Sequence, residues 1–168
     1  ITPEEVVAAA EEGLPVPQYM IDAADGTTDE KINSFCFTQG GICDYEGTLW
    51  AAMVLRSKGE DVSAFLPYLM TLKDNTENKK FVPEAFLYDL TSLSDIRSDL
   101  LLIHKGQFWD ESGSRLYDSS IAGLAFHGDT PTEITLTKNW LMEIIDDNGC
   151  WNDNIRDTAF VLFSLFPR

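Results

Sequence analysis

The stretch "NWLMEIIDDNGCWNDNIRDTAF", residues 139–160, decides how the rest of the chain is read. It opens with apolar residues at helical spacing and closes on a second apolar run that begins at Ile155. Between them, "DDNGCWNDN" is built from Asp, Asn and Gly149, residues that leave a helix and turn the chain. Two tryptophans, Trp140 and Trp151, bracket that turn. The stretch reads as helix, short joint, helix, with a large aromatic on each side of the joint.

The same grammar extends outward. "TPEEVVAAAEEGL" offers Thr2 as a cap, Pro3 in the first turn, and Glu4 and Glu5 at the positive helix end. Further helix-spaced apolar stretches fall at 27–36, 45–57, 62–74, 83–93, 95–104, 117–127, 133–146 and 155–166. Turns rich in Gly, Asp, Asn, Ser and Pro separate them, among them "TQGGICD", "DNTENKKFVP" and "DESGSR". No segment alternates convincingly as a strand. The expectation is an all-α chain of about nine helices with short loops, which favour antiparallel neighbours.

An internal repeat sharpens this expectation. Laying 45–74 over 117–146 brings Tyr45 onto Tyr117, Leu69 onto Leu141, Met70 onto Met142 and Asp74 onto Asp146 at one common offset. Glu46/Asp118, Thr48/Ser120, Tyr68/Trp140, Phe37/Trp109 and Gly41/Gly113 keep the register. Within it a smaller unit recurs, an acid followed by small or hydroxyl residues and an apolar helix. It starts at Glu46, Glu84, Asp118 and Asp157. Near-regular spacing of this kind implies hairpins stacked side by side, each completing its neighbour's core.

Composition bounds the function. The chain has 168 residues, 44% hydrophobic and 11% aromatic, enough to bury a core as a single domain over 1–168. Its net charge of −16 repels phosphate backbones, so nucleic acid is not an expected partner. No apolar run approaches about 18 residues, so no membrane span is expected. The chain opens at Ile1 without an initiator Met, which suggests a piece of a larger protein. Cys36, Cys43 and Cys150 read first as buried free thiols; a Cys36–Cys43 bridge is the alternative, which the spacing does not forbid.

"KNWLMEIIDDNGCW" resembles the repeat motif of terpene cyclases and protein prenyltransferase β-subunits. Lys138, Trp140, Leu141, Gly149 and Trp151 match it, and "DTAFVLFSL" resembles the helix that follows. Ile145 stands where the motif has Gln, and "HKGQFWDESG" and "CFTQGGICD" are worn copies. The resemblance implies an α/α toroid, with inner helices at 2–14, 45–57, 83–93, 117–127 and 155–166 and outer helices at 27–36, 62–74, 95–104 and 133–146. These are too few hairpins for a closed ring of that family, so an incomplete or open ring is expected. The resemblance also gives Trp140 and Trp151 a structural role at the joint.

The family's chemistry does not follow. Asp146-Asp147 runs into Asn148-Gly149 instead of completing the Asp-x-Asp-Asp of a protonating cyclase, and Cys150 interrupts an Asp-Asp-x-x-Asp. Ser34, Gly41 and Asn148 stand two residues before the cysteines, where a zinc-binding prenyltransferase has Asp. The Cys-Gly-Glu-Gln of toroidal thioester domains is absent, as are a nucleophile elbow and a phosphate loop. His104 and His127 end apolar helices, where imidazole suits the negative dipole end. No catalytic residue, metal ligand or cofactor is assigned.

The remaining candidates are acids and aromatics. Glu46, Glu84, Asp118 and Asp157 open the inner helices, where carboxylates serve unpaired N–H groups. In a toroid such starts converge on one cavity mouth. With Tyr45, Tyr117, Trp109 and Trp151 they would then form an acidic aromatic cup for a small polar or cationic ligand. The leading expectation is a non-catalytic helical-repeat binding or scaffolding module of a larger protein, at the cell surface or outside the cell. Its partner would be another protein, a polar or cationic ligand, or a further copy completing the ring. The alternatives are a diverged terpene cyclase or prenyltransferase-like segment lacking its catalytic half, and a transcobalamin-like cofactor-binding toroid.

Overall fold

The computed structural model describes residues 34–167, which divide into two compact units between Lys73 and Asp74. The expected helix at 2–14 and residues 27–33 of the next lie outside the described residues. The described chain is mostly helical, with eight helices and one two-stranded hairpin.

The first unit opens where 27–36 was expected to end as a helix. Residues 34–36 are not helical, and Cys36 forms a disulfide with Cys43. The free-thiol reading of these two residues is thereby corrected; Cys150 is free. The bridge closes a hairpin of β1 (Thr38–Gln39) and β2 (Ile42–Cys43), antiparallel, with Thr38 opposite Cys43 and Gln39 opposite Ile42. Gly40 and Gly41, at φ 62° and 81°, make its two-residue turn, which needs left-handed backbone at both positions. Strands of two residues are too short to show alternation, which is why the pattern did not announce them.

After Asp44 comes α1 (Tyr45–Ser57), burying Tyr45, Thr48, Leu49, Ala52 and Leu55 along one stripe. The second helix, α2 (Leu66–Leu72), begins later than the expected 62. Asp61 accepts hydrogen bonds from the Ser63 backbone N–H at 2.9 Å and its hydroxyl at 3.0 Å, a local turn that competes with helix. Pro67 then sits in the first turn, where its missing N–H costs nothing. The helices are tied by the Tyr45 hydroxyl, which donates to the Leu69 carbonyl at 2.8 Å. Phe65 stacks on Phe37, with ring centroids 5.2 Å apart.

The second unit starts with a short helix, α3 (Thr76–Lys79), inside a stretch that reads as a turn. Then follow α4 (Pro83–Thr91), α5 (Ser94–Leu102), α6 (Arg115–Ala125), α7 (Thr132–Glu143) and α8 (Ile155–Leu165). These match the expected helices to within a few residues. The packing runs through α4 and α6: α4 lies against α5 and α6, and α6 against α8. "PEAFLYDL" is apolar on most sides, so α4 buries Pro83, Glu84, Ala85, Phe86, Leu87 and Leu90. In α6 the run Asp118 to Gly123 is buried. Gly123 is there for closeness: a Cβ at that position would stand 2.6 Å from Leu165 Cδ2 of α8.

Candidate functional site

A large aromatic, a short turn and a hydroxyl in the next helix recur together three times. The Phe37 backbone N–H donates to Thr48 Oγ1 at 3.0 Å, that of Trp109 to Ser119 Oγ at 3.2 Å, and that of Trp151 to Thr158 Oγ1 at 2.9 Å. At the two tryptophan joints the indole reaches back as well. Trp109 Nε1 donates to the Leu100 carbonyl and Trp151 Nε1 to the Leu141 carbonyl, both at 2.8 Å. Leu100 and Leu141 lie in the last turns of α5 and α7, where carbonyls have no helical partner. Each indole thus satisfies an orphan acceptor behind it while its own backbone N–H is satisfied by the helix ahead. Trp109 is fully buried and Trp151 is 2% exposed. Trp140 is also buried, its ring 5.0 Å from that of Phe108.

The acids occupy first turns, as their placement in the sequence suggests, but in different surroundings. Asp118 is fully buried. Its Oδ2 accepts the backbone N–H groups of Glu111 and Ser112 at 2.7 Å each, and its Oδ1 accepts the Ser112 hydroxyl at 2.6 Å. The carboxylate folds the preceding loop onto α6. Burial pushes its pKa above the ordinary aspartate value; the hydrogen bonds from Ser112 and Glu111 oppose that, and the nearby Asp110 charge adds a little. The rise therefore comes from desolvation, not from a ring of acids.

Asp157 is half-buried, with Asn152 Nδ2 at 3.3 Å and Arg156 Nε at 3.7 Å. The cap of its helix is a neighbour, Asn154, whose Oδ1 accepts the N–H groups of Arg156 and Asp157. Glu84 is buried in α4 and Glu46 is half-buried in α1. Tyr45 spends its hydroxyl on Leu69, and Tyr117 packs its ring 5.7 Å from that of Phe160. Tyr45 and Glu46 belong to the first unit and the other six candidates to the second. Within the second, Trp109 with Asp118 and Trp151 with Asp157 serve successive joints.

The histidines are placed by packing. His104 lies two residues beyond α5, its ring 4.4 Å from that of Trp109 and its Nε2 3.1 Å from Thr137 Oγ1. Burial lowers its pKa, outweighing the pull of Glu133, so the neutral ring is favoured there over the cation that a helix dipole would attract. His127 is exposed, with Nε2 3.1 Å from the Ser164 carbonyl. Among the described residues no group of three or more His, Cys, Asp or Glu side chains could hold a metal ion. No helix among them is long and apolar enough to cross a membrane.

Two features escaped the sequence reading. Arg97 Nε lies 2.7 Å from Asp129 Oδ2, and the Tyr88 hydroxyl donates to the same oxygen at 3.4 Å, joining α4, α5 and the turn after α6. Nothing in the local sequence pairs such distant residues. A groove of about 500 Å³ opens beside the end of α8, lined by His127, Leu162, Phe163, Phe166 and Pro167. None of the eight candidate residues lines it. Compared with protein families, curated proteins and solved structures, the chain matches none.

Proposed function

We propose that the chain is a non-catalytic helical-repeat segment of the α/α-toroid kind, serving as a binding or scaffolding module. The observation that carries this reading is the recurring joint. Three aromatics are held alike by a hydroxyl of the following helix, and two indoles also hold the helix behind. Groups that could have lined a reaction chamber are committed to spacing helices, which is what a stacked array requires. Asp118 belongs to the same economy, since its three donors come from its own loop. The Cys36–Cys43 disulfide supports an oxidising compartment such as the cell exterior. A polar or cationic small molecule in an acidic cup has less to support it, since Trp109 and Asp118 are fully buried and Trp151 nearly so.

The test sets the module against the enzyme. The purified chain is incubated with linear isoprenoid diphosphates and Mg²⁺ or Zn²⁺, and separately titrated with a cobalamin. No product and no change in the cobalamin spectrum are expected. Turnover would sink the scaffolding reading in favour of the cyclase or prenyltransferase alternative. A saturable spectral change would favour the cofactor carrier.

A further inference from the structure

We infer that α8 is a pairing surface through which two copies of this chain associate, antiparallel and about a two-fold axis. Beyond Arg156, Asp157 and Thr158 in its first turn the helix is mostly apolar, and one side, with Val161, Ser164 and Leu165, is buried in the second unit against α6. The other side carries Ile155, Ala159 and Leu162, with Phe166 just beyond, at steps of four, three and four residues, one continuous stripe. Phe163 flanks it. Ile155 is 86% exposed, Phe163 67% and Leu162 46%. A helix apolar on opposite sides is normally covered on both. Phe166 is partly covered, its ring stacked 6.1 Å from that of Trp151 with Lys138 Nζ 5.6 Å above it, whereas Ile155, Leu162 and Phe163 stay open to solvent.

The stripe is complementary to itself. In an antiparallel pair with its axis between Ala159 and Leu162, small Ala159 of one copy meets large Leu162 of the other. Ile155 then meets Phe166, at the groove shared with Leu162, Phe163 and Pro167. The most exposed knob and the groove lie at opposite ends of one stripe, so one rotation seats both knobs. Such isologous contacts are the commonest route to homodimers. The electrostatics agree: antiparallel helix dipoles attract, and Arg156 of each copy reaches the negative end of its partner's helix. At roughly 200 Å² per large apolar side chain, Ile155, Leu162 and Phe163 expose roughly 400 Å² per copy. A pair would bury roughly 800–1,000 Å², the low end for a specific interface, so the dimer is weak and reversible. This contact is symmetric and closed; it does not depend on the toroid reading.

Sedimentation of the full chain from about 10 to about 500 μM is the first measurement, a range that brackets a weak interface. A monomer–dimer equilibrium is expected. It should tighten as salt rises from about 50 to about 500 mM, because two chains of net charge −16 repel and salt screens the repulsion. Leu162→Glu and Phe163→Glu, at exposed positions, should keep the helical circular dichroism and shift the dimer constant at least tenfold. In a Cys150→Ser background, a mixture of Ala159→Cys and Leu162→Cys copies should cross-link on oxidation. Ile155→Cys alone should not, since its two copies would stand roughly 16 Å apart along the helix axis. A strict monomer at every concentration overturns the inference, as does a dimer untouched by both Glu variants or one that salt dissolves. Binding of a Lys-rich amphipathic helical peptide to an otherwise monomeric chain would assign the stripe to a basic partner instead.

Discussion

Asp118 is a buried carboxylate held by three donors, none of them a cation. Removing the acceptor and removing the charge should have different consequences. Asp118→Ala strands two backbone N–H groups and a hydroxyl, and should cost about 3 kcal/mol at about one per lost bond. Asp118→Asn keeps an acceptor for both N–H groups and lets the Ser112 hydroxyl accept instead of donate, so it should cost much less. The pH dependence has a definite sign. A folded pKa raised by burial gives stability that is present below the unfolded aspartate pKa and is lost as pH rises through the folded value. The wild type should therefore lose stability relative to Asp118→Asn as pH climbs through the carboxylate range, read by melting from acid to neutral pH. A difference that grows in the opposite direction would contradict desolvation as the dominant cause. Trp151 divides similarly. Trp151→Ala should cost about 3–5 kcal/mol as a large aromatic truncation. Trp151→Phe, which keeps most of the bulk but strands the Leu141 carbonyl, should cost about 1–2 kcal/mol.

At the scale of elements, the packing of α6 on α8 rests on a residue with no side chain. Gly123 would ordinarily weaken a helix by about 1 kcal/mol relative to Ala, so Gly123→Ala on an open face would stabilise. Here the added Cβ would meet Leu165 Cδ2 and Cγ at 2.6 Å and the Ser164 carbonyl at 3.3 Å. Leu165 is buried and cannot swing clear, so overpacking, typically 1–3 kcal/mol, should outweigh the propensity gain. Gly123→Ala should melt below the wild type, and adding Leu165→Ala should recover part of the clash while opening a cavity of its own. A stabilised single variant would mean that Leu165 yields to the added methyl group and that close packing is not what the glycine provides. The sequence showed both helices but not their crossing, since a lone glycine inside a helical pattern does not name the residue that needs it.

For the molecule as a whole, the Cys36–Cys43 bridge acts through the unfolded chain. It closes a loop of sequence separation 7, and chain-entropy reasoning assigns such a loop about 2–3 kcal/mol. A Cys36→Ser/Cys43→Ser variant should lose that amount in denaturant unfolding, and reductant should lower the wild type to the variant's midpoint. An unchanged midpoint would show that the bridge removes little freedom from the unfolded ensemble and would contradict the chain-entropy account. Helical circular dichroism should dominate throughout, with sheet below about a tenth of residues, because among the described residues only a two-residue ladder contributes.

Periodicity, glycine and proline placement, and the Trp140–Trp151 joint were enough to determine the five longer helices of the second unit and the order in which turns divide them; the single turn of α3 reads as loop. Those signals are local: a stripe at helical spacing, or a residue that fits a turn, depends only on its neighbours in sequence. The joint at Trp109 also stood in the sequence as a worn copy of the one at Trp151. What needed tertiary structure were facts about pairs. Whether Cys36 finds Cys43 depends on a hairpin two residues long, below the length at which alternation can be seen. Whether Asp118 opens toward a cavity or folds back on Glu111 and Ser112 depends on a loop path that composition does not encode. Arg97 meets Asp129, and the groove at Leu162 and Phe163 exists, only because helices far apart in the chain pack at chosen distances. Local sequence sets which residues can form an element; the free energy of burying one element on another decides which of their side chains are spent inside and which are left to meet a partner.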